Sequence, residues 1–336
     1  MLKTEVNHII TIGASAGGLE AVSELLRTFS IQMDAAIFIV IHLSEYSRTD
    51  LIVKTLQRNC ALKCAIAIDE QDIENGTIYF APTDHHILIE KGKIRITKGA
   101  TENHWRPSID VLFRSAAAAY NSCVVGIILT GMLDDGTSGM NAIKRCGGTC
   151  IVQDPDEAAF PGMPNSVLRN VPVDYQARIE EMAQLLSIVL SNSVCQSHPV
   201  PADIQLEVDI AKRLTSNLDD LVELGQLSPF TCPDCGGDMV KIEGDASPRY
   251  RCYTGHTFTE KFLEDRQLRK IEEALWVSIR MMEERKNLLI NMVNEAAANR
   301  LIISKTDERI KDIQSHIETL RATLLNISLN DRVNTD

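Results

Sequence analysis

Long apolar runs are absent from this sequence of 336 residues. No stretch approaches the ~20 consecutive apolar residues that a membrane-spanning helix needs. The first residues, MLKTEVNHII, have neither the apolar segment nor the cleavage site of a signal peptide. Together these absences predict a cytoplasmic protein.

Positive charge is also scarce, since 34 Lys and Arg residues stand against 46 Asp and Glu residues and the net charge is −12. Nucleic-acid binding needs a basic surface, so this balance argues against nucleic-acid partners. The nine cysteines are an odd number without the spacing of a secreted disulfide framework, which predicts reduced thiols. Six of them lack ligand-like spacing and are expected in the core or on the surface: Cys60, Cys64, Cys123, Cys146, Cys150 and Cys195.

Short apolar runs alternate with helical patterns over residues 8–190. Such alternation indicates a parallel sheet covered on both faces, so we predict an α/β fold with a doubly wound, mostly parallel sheet. The predicted domains are the α/β domain over 1–192, a linker with a short helix over 193–230, a small zinc-ribbon-like module over 231–258, and a C-terminal helical hairpin or coiled coil over 259–328.

The stretch TIGASAGGLE, residues 11–20, ends an apolar run and opens a helical pattern. It fails as a dinucleotide-binding loop because Ser15 replaces the middle glycine of G-x-G-x-x-G, and it fails as a P-loop because it has no lysine. A serine between a parallel strand and a helix has the geometry of a nucleophile elbow. The alternative is a serine that caps the helix.

Two further strand ends carry the groups that a nucleophilic serine needs. His42 ends the run AAIFIVIH, and Asp134 and Asp135 follow the run IILTGML. Neighbouring parallel strands bring their carboxyl ends to one edge of a sheet, so we expect a histidine base and an orienting carboxylate beside Ser15. The alternatives are a surface histidine and a carboxylate that caps the next helix.

Several stretches of the chain, taken in order, resemble the catalytic domain of CheB, the chemotaxis protein-glutamate methylesterase. They are IGASAGGLEAV, VIHLS, FAPTDHHILI, RPSIDVLFRSAAAAY, GIILTGMLDDGTSGM and QDPDEAAFPGMPNSVL. The resemblance covers residues 8–190 and implies a doubly wound α/β fold. It further implies a catalytic triad of Ser15, His42 and Asp135, with the backbone N–H of Met132 as an oxyanion donor.

The function implied by the resemblance is hydrolysis of glutamate methyl esters on chemoreceptors, with deamidation of certain glutamines and no cofactor for catalysis. Methylated chemoreceptor-type proteins are the implied partners, with a methyltransferase or a signalling kinase of the same phosphorelay as further candidates. One alternative is a scaffold or binding protein that keeps the fold and has weak catalysis, and another is a hydrolase that acts on some other small ester.

The sequence departs from the family at several points. Ser44 replaces the proline that usually follows the strand-end histidine by two residues. Ala16 replaces a usual Thr or Ser, and Thr83 and Asp84 replace glycines. The receiver domain that precedes the esterase domain in the usual CheB is also lacking. The resemblance is therefore to a stand-alone form, for which no regulation through a receiver of its own is expected.

A second motif follows the α/β region. Cys232, Cys235, Cys252 and His256 form the pattern C-x2-C…C-x3-H. Such ligand pairs are typical of zinc ribbons, and four ligands leave no open position, so we predict a structural zinc site. The alternative is four unrelated residues in a small reduced module. With the helices after it, this tail also resembles, more loosely, extensions of stand-alone CheB-like proteins, and that likeness assigns no activity.

Residues 259–328 contain neither proline nor glycine and are predicted to form two long helices that break near residues 299–307. The second helix has apolar residues at coiled-coil spacing. They are Ile310, Ile313, Ile317, Leu320, Leu324 and Ile327. This seam can pack on the preceding helix, which offers Leu268, Ile271, Leu275, Ile279, Met282 and Leu289, or it can pair with a second copy of the chain.

Overall fold

The computed structural model describes residues 6, 8–30, 33–44, 46–192, 195–295 and 300–333. The chain divides into two compact units, Met1–Phe262 and Leu263–Asp336. Among the described residues, no helix is both long enough and apolar enough to span a bilayer.

A seven-stranded sheet forms the centre of the first unit, and all its neighbouring strands are parallel. The strands of this sheet are β1 (Ile9–Ala14), β2 (Ala36–Ile41), β3 (Lys63–Ile66), β4 (Thr77–Phe80), β7 (Val124–Ile128), β8 (Thr149–Gln153) and β9 (Tyr175–Ala177). A separate antiparallel hairpin consists of β5 (His86–Glu90) and β6 (Lys93–Thr97). The sheet order is β3-β4-β2-β1-β7-β8-β9, and β5 pairs with β6 in the hairpin. The predicted parallel α/β fold is confirmed, and its strand order reverses between β1 and β7, where such sheets bind ligands.

Six helices cover the two faces of this sheet. They are α1 (Gly18–Thr28), α2 (Thr49–Gln57), α3 (Ile109–Tyr120), α4 (Thr137–Arg145), α5 (Gly162–Asn170) and α6 (Ile179–Asn192). On one face, α1 and α6 bury Leu25 and Met182 against the strands. On the other face, α3 and α4 bury Phe113 and Met140. The strands are therefore apolar on both sides, which explains their uninterrupted apolar runs.

The first unit continues well beyond the predicted α/β domain. It includes α7 (Ala202–Arg213), α8 (Leu218–Leu224), β10 (Gly225–Thr231), β11 (Asp238–Ile242), β12 (Arg249–Cys252) and β13 (Thr257–Thr259). Strands β10 to β13 form a four-stranded antiparallel sheet in chain order, which we call the C-terminal sheet. The expected linker over 193–230 thus contains two helices and most of the first strand of this sheet.

A buried ionic cluster joins the C-terminal sheet to the α/β domain. Arg251 of β12 donates to Glu102 at 3.1 Å, and Arg249 donates to Glu207 of α7 at 2.6 Å. Arg114 of α3 also donates to Glu102, and all five side chains are at most 4% exposed. Buried charged residues are tolerated when they are paired with opposite charges. The segment after residue 192 can therefore be as polar as a linker and still be part of the folded unit.

One disulfide corrects the expectation that the six remaining cysteines are unpaired. Cys123, just before β7, is bonded to Cys195, which follows α6, across 72 residues of sequence. The neighbouring residues are also in contact, because the Ser122 Oγ donates to the Gln196 carbonyl oxygen at 2.9 Å. A pair so distant in sequence leaves no spacing pattern, so only the fold reveals it.

The second unit is an antiparallel pair of helices, α9 (Glu260–Glu295) and α10 (Arg300–Val333). The break predicted near residues 299–307 lies too late in the chain, because residues 300–307 are already helical. Residue 299 falls outside the described residues. Cross-helix bonds join Lys286 to Gln314 at 2.9 Å and Arg321 to Glu283 at 3.0 Å, which defines the antiparallel direction.

The predicted seam packs within the hairpin. Ile317 and Leu324 of α10 are buried with Ile279 of α9. Ile271 is an exception, because it is 51% exposed. It is one of several apolar residues that α9 leaves exposed, together with Val277, Met281, Leu288 and Met292.

Candidate active site

Ser15 occupies the tight turn between β1 and α1, at the edge where the strand order reverses. Its N–H donates to the Thr130 carbonyl oxygen at 3.0 Å, and the Gly18 N–H donates to the Ser15 carbonyl oxygen at 2.8 Å. Gly17 caps α1 with φ of 70° and without any side-chain hydrogen bond. A Cβ on Gly17 would also approach the Ala159 Cβ to 3.2 Å. The serine therefore does not cap the helix, and its hydroxyl is free to face the sheet edge.

The structure brings Ser15, His42 and Asp135 into one line of hydrogen bonds. His42 follows β2, and its Nδ1 lies 3.2 Å from the Ser15 Oγ. Its Nε2 lies 2.8 Å from the Asp135 Oδ2, and both of these side chains are 1% exposed. Trp105 stacks on the imidazole, with ring centroids 4.2 Å apart and planes inclined by 10°. The ring of His42 is thus held at both nitrogens and across one face.

Asp135 accepts several hydrogen bonds besides the one from His42. The Ile109 N–H donates to Oδ2 at 2.8 Å, and Oδ1 accepts from the Ser108 hydroxyl at 3.1 Å and the Asn103 amide at 3.0 Å. Burial opposes the charged form of this carboxyl, but the hydrogen bond and charge of His42, followed by the other donors, hold the pKa of Asp135 below its ordinary value. Asp135 is therefore kept ionised beside the imidazole.

The neighbouring carboxyl group, Asp134, has different partners. Its Oδ1 accepts from the Thr259 hydroxyl at 2.9 Å, at the end of β13. Burial, assisted by the nearby charge of Asp135, raises the pKa of Asp134. Helix α4 is capped by Gly136 with no side-chain hydrogen bond, so neither aspartate caps it.

The loop after β7 is shaped around the serine. The Gly131 N–H donates to the Phe160 carbonyl oxygen at 2.9 Å, and its carbonyl oxygen accepts from the Met163 N–H at 2.8 Å. A Cβ on Gly131 would lie 2.9 Å from the Ser15 Cβ, so the loop and the serine are in close contact. Within the described residues, the Met132 N–H has no hydrogen-bond acceptor.

Sequence reasoning missed Asn103, Trp105 and Ser108, which support this line, and it noted His86 only as a match to a family motif. Asn103, Trp105 and Ser108 all lie in the stretch TENHWRPS before α3, and His86 lies in β5. His86 donates from Nε2 to the Ala100 carbonyl oxygen at 2.9 Å and accepts the Ser108 N–H at Nδ1, at 3.2 Å. The signals in the sequence were the quoted stretches RPSIDVLF, which contains Ser108, and FAPTDHHILI, which contains His86. Asn103 and Trp105 lie in a loop that has no periodic pattern.

The departure at Asp84 has a local explanation. Asp84 adopts φ of 59°, a left-handed conformation that glycine normally takes. Its carboxylate accepts from Arg106 Nε at 2.8 Å, and Lys98 and Arg106 lower its pKa to about 2. This pairing ties the loop before β5 to the residues that precede α3.

The four predicted metal ligands are also brought together. The ligand atoms of Cys232, Cys235, Cys252 and His256 all lie within 4.8 Å of one another. Individual separations are 3.6 Å between Cys235 and Cys252 Sγ, and 3.5 Å between Cys252 Sγ and His256 Nδ1. The turns that present them contain Gly236 and Gly255, with φ of 76° and 106°. This Cys/His cluster lies between β10 and β13 of the C-terminal sheet.

A parallel α/β sheet with a serine, a histidine and a buried aspartate at its reversal point defines the class of serine hydrolases. A family model described as CheB methylesterase matches residues 10–186. A Leptospira interrogans protein, provisionally named a protein-glutamate methylesterase/protein-glutamine glutaminase, is 38% identical over 188 residues, which are 56% of this chain and 97% of that protein. The chain belongs to the CheB methylesterase family, a family of hydrolases.

Two further comparisons agree with this assignment. Protein-glutamate methylesterase/protein-glutamine glutaminase 2 of Methanosarcina mazei is 34% identical over 196 residues, covering 56% of this chain and 53% of that protein. The crystal structure of the Thermotoga maritima CheB methylesterase catalytic domain is similar with a TM-score of 0.51 and 30% identity, covering 54% of this chain and 97% of that domain. The family model ends at residue 186, so the C-terminal sheet and the hairpin lie outside it.

Proposed function

We propose that the protein hydrolyses glutamate methyl esters on chemoreceptor-type proteins and deamidates glutamine side chains by the same acyl chemistry. The observation that carries the proposal is the hydrogen-bonded order of Ser15, His42 and Asp135. Relatives bear both activities in their names. In both reactions a nucleophile attacks a side-chain carbonyl carbon that carries a small leaving group, which departs as methanol or ammonia. One site can therefore serve both reactions.

In the first half of the reaction, Ser15 is the nucleophile and His42 is the general base. As Oγ bonds to the carbonyl carbon, its proton passes to Nδ1 of His42, which already lies 3.2 Å away. Asp135 accepts the Nε2–H and stabilises the imidazolium. The negative charge on the carbonyl oxygen is stabilised by the Met132 N–H and by the positive end of α1.

In the second half, the carbon–oxygen bond to the methoxy group breaks and Nδ1 returns its proton to the departing oxygen, releasing methanol. Water then gives a proton to His42 and attacks the acyl-serine. Collapse of this intermediate returns the proton to Ser15 and releases the glutamate carboxylic acid, which ionises. For a glutamine side chain, the proton goes to nitrogen and ammonia leaves.

The surface around the serine suits a protein substrate better than a free ester. Met132, Leu133 and Phe160 are exposed apolar side chains on the two loops that flank Ser15. A methyl ester side chain needs only a small site, so this apolar rim is available to the helix that carries it. Substrate affinity is then expected to depend on the rim and the rate of the chemical step on Ser15.

The Cys/His cluster holds a structural zinc ion in this proposal. Tetrahedral zinc with thiolates at about 2.3 Å separates its ligand atoms by roughly 3.5–3.8 Å, and the observed separations of 3.5 and 3.6 Å fit that requirement. Three sulfurs and one imidazole nitrogen are also the donor set that zinc prefers. No catalytic step uses the ion.

The decisive experiment measures methanol released from membranes that carry methyl-labelled chemoreceptors. The wild-type protein should release methanol, and Ser15→Ala should lower the rate by about 10⁴-fold or more. Ser23→Ala, on the helix that follows Ser15, is the matched control and should keep the wild-type rate. Equal rates for the two variants would eliminate Ser15 as the nucleophile.

A parallel assay on a soluble p-nitrophenyl ester separates the remaining alternatives. Hydrolysis of this ester without methanol release would indicate an esterase for another substrate. Failure of both assays by a folded wild-type protein would favour the scaffold or binding function, for which the exposed apolar residues of α9 offer a surface.

A further inference from the structure

Strand β13 of the C-terminal sheet pairs with a loop of the catalytic site. The Asn103 N–H donates to the Thr257 carbonyl oxygen at 2.8 Å, and the Thr257 N–H donates to the Thr101 carbonyl oxygen at 3.3 Å. Residues 101–103 thus extend the edge of the C-terminal sheet as a short parallel strand would. The family matches do not include β13, so this pairing is a feature of the longer chain.

Asn103 is completely buried, and every polar group of its side chain is used. Its Oδ1 accepts the Thr259 N–H at 3.2 Å. Its Nδ2 donates to Asp135 Oδ1 at 3.0 Å and to Asp110 Oδ2 at 2.9 Å. The amide orientation is fixed from both sides, because a rotated amide would place its oxygen against two carboxyl oxygens and its NH2 group against the Thr259 N–H of β13.

The pKa values of the two carboxyl groups that share Asn103 are shifted in opposite directions. Burial and the charge of Asp135 raise the pKa of Asp110 well above its ordinary value, whereas the pKa of Asp135 is held below its ordinary value. The groups that face Asp135 are His42, His86, Asp110 and Asp134. The Asn103 Nδ2 thus bridges the Asp110 carboxyl and the carboxylate that orients His42.

We propose that Asn103 is a positioning residue for the Asp135 carboxylate, and that β13 of the C-terminal sheet sets the orientation of Asn103. The esterase site is then complete only when the C-terminal sheet is in place. The inference rests on the proposed function in one respect, which is the role of Ser15 as nucleophile. It assigns to residues 225–259 a part in catalysis that the CheB methylesterase family domain does not contain.

The test compares Asn103→Gly with Asn141→Ala in the full chain. Glycine tolerates the φ of 50° at position 103 and keeps the N–H that bonds Thr257, so only the amide side chain is lost. Asn141→Ala removes a contact of 3.2 Å with Asp245 of the same C-terminal segment but leaves Asn103 untouched. Asn103→Gly should lower kcat on a p-nitrophenyl ester by about 10- to 100-fold with KM nearly unchanged, because hydrogen bonds to charged groups are lost while substrate contacts remain.

Labelling of Ser15 by a fluorophosphonate provides a readout that is independent of the substrate. The labelling rate should fall with kcat in Asn103→Gly and stay at the wild-type rate in Asn141→Ala. Equal kinetics for these two variants would overturn the positioning role. If Ser15→Ala hydrolyses the ester at the wild-type rate, the proposed function itself fails. This failure is distinguishable from failure of the positioning role, because Ser15→Ala is measured in a chain in which Asn103 is unchanged.

A double-mutant cycle tests the role of β13. His256→Gln releases the residue that precedes β13 from the Cys/His cluster and should lower kcat in the wild-type background. In the Asn103→Gly background it should change kcat by less than about twofold, since both changes act through one contact. Independent, multiplied effects would show that β13 does not act through Asn103. If His256→Gln does not fold, Thr257→Val takes its place, because it removes only the β13 hydroxyl that accepts from Arg251 at 3.2 Å and donates to the Gly255 carbonyl oxygen at 3.3 Å.

Discussion

At the scale of single residues, the adjacent groups Asp134 and Asp135 offer a direct comparison. Asp135 accepts from His42, whereas Asp134 accepts from Thr259. Asp135→Asn should lower kcat for ester hydrolysis by about 10⁴-fold, because an amide cannot stabilise the imidazolium and favours the wrong tautomer. Asp134→Asn, the matched control, should stay within a few-fold of the wild-type rate. Similar losses in both variants would contradict the assignment of Asp135.

Glu102 gives a second prediction at this scale, for stability against pH. Burial opposes its ionisation, but Arg114 and Arg251 lower its pKa from 4.5 to about 2. A lowered carboxyl pKa stabilises the folded state above pH 4.5, and this contribution is lost as the pH falls from 4.5 to 2. At pH 7, the free energy of unfolding of Glu102→Gln should therefore be about 3–5 kcal/mol lower than that of the wild type. The measurement is urea denaturation, in which the variant should have the lower midpoint.

The difference in unfolding free energy between Glu102→Gln and the wild type should shrink as the pH falls from 4.5 to 2. Glu70→Gln is the control, because Glu70 forms a half-exposed pair with Lys93 at 3.3 Å and should change the urea midpoint little. A difference for Glu102→Gln that stays constant from pH 7 to pH 3 would contradict the ionised state of Glu102.

The sequence was sufficient for the residues at strand ends and insufficient for those that support them. Ser15 and His42 could be expected at one edge because parallel topology brings the ends of β1 and β2 together. The choice of Asp135 over Asp134 came from the family motif and not from spacing. Asn103 and Trp105 could not be found in this way, because their roles depend on how an irregular loop folds against β13 and the His42 ring.

At the scale of structural elements, the Cys/His cluster joins two of the three turns of the C-terminal sheet, the one between β10 and β11 and the one between β12 and β13. Purified protein should contain about one zinc per chain, and Cys232→Ser/Cys235→Ser should lose it. Because metal binding contributes to folding, the variant should also have a lower Tm, as should the wild-type protein in chelator. Cys60→Ser/Cys64→Ser, which lies outside the cluster, is the control for metal content. A metal-free wild type whose Tm does not respond to chelator would refute the site.

Elements that depend on local periodicity could be predicted, and those that depend on distant pairing could not. The apolar runs of the parallel sheet and the seam around Ile317 have regular spacing, so both were recognisable. Helix α7 lies where a short helix was expected in the linker, but its place in the fold was missed because Glu207 is paired with Arg249 inside the fold. Helix α8 was taken for linker. The same limit applies to the Cys123–Cys195 disulfide, whose partners meet only in three dimensions.

At the scale of the whole molecule, the division at Phe262 predicts where the chain can be shortened. A protein that ends at Lys270 keeps the first compact unit and the first turns of α9. It should hydrolyse a p-nitrophenyl ester within about twofold of the wild-type rate, since the residues around Ser15 and Asn103 are retained. A protein that ends at Phe230 lacks β11, β12 and β13, so it should lose kcat or fail to fold.

The same pair of truncations tests what the hairpin contributes. Its α9 exposes Val277, Met281, Leu288 and Met292 on one side, and exposed apolar stripes of this kind commonly bind partners. We therefore expect the protein that ends at Lys270 to release methanol from receptor membranes more slowly than the wild type, although its rate on the soluble ester is unchanged. Met281→Glu/Leu288→Glu in the full chain should reproduce this selective loss, and Arg280→Glu, on an exposed position of the same helix, should not. Equal loss on both substrates would show that the hairpin supports the fold of the first unit, and no loss on either would exclude it from substrate docking.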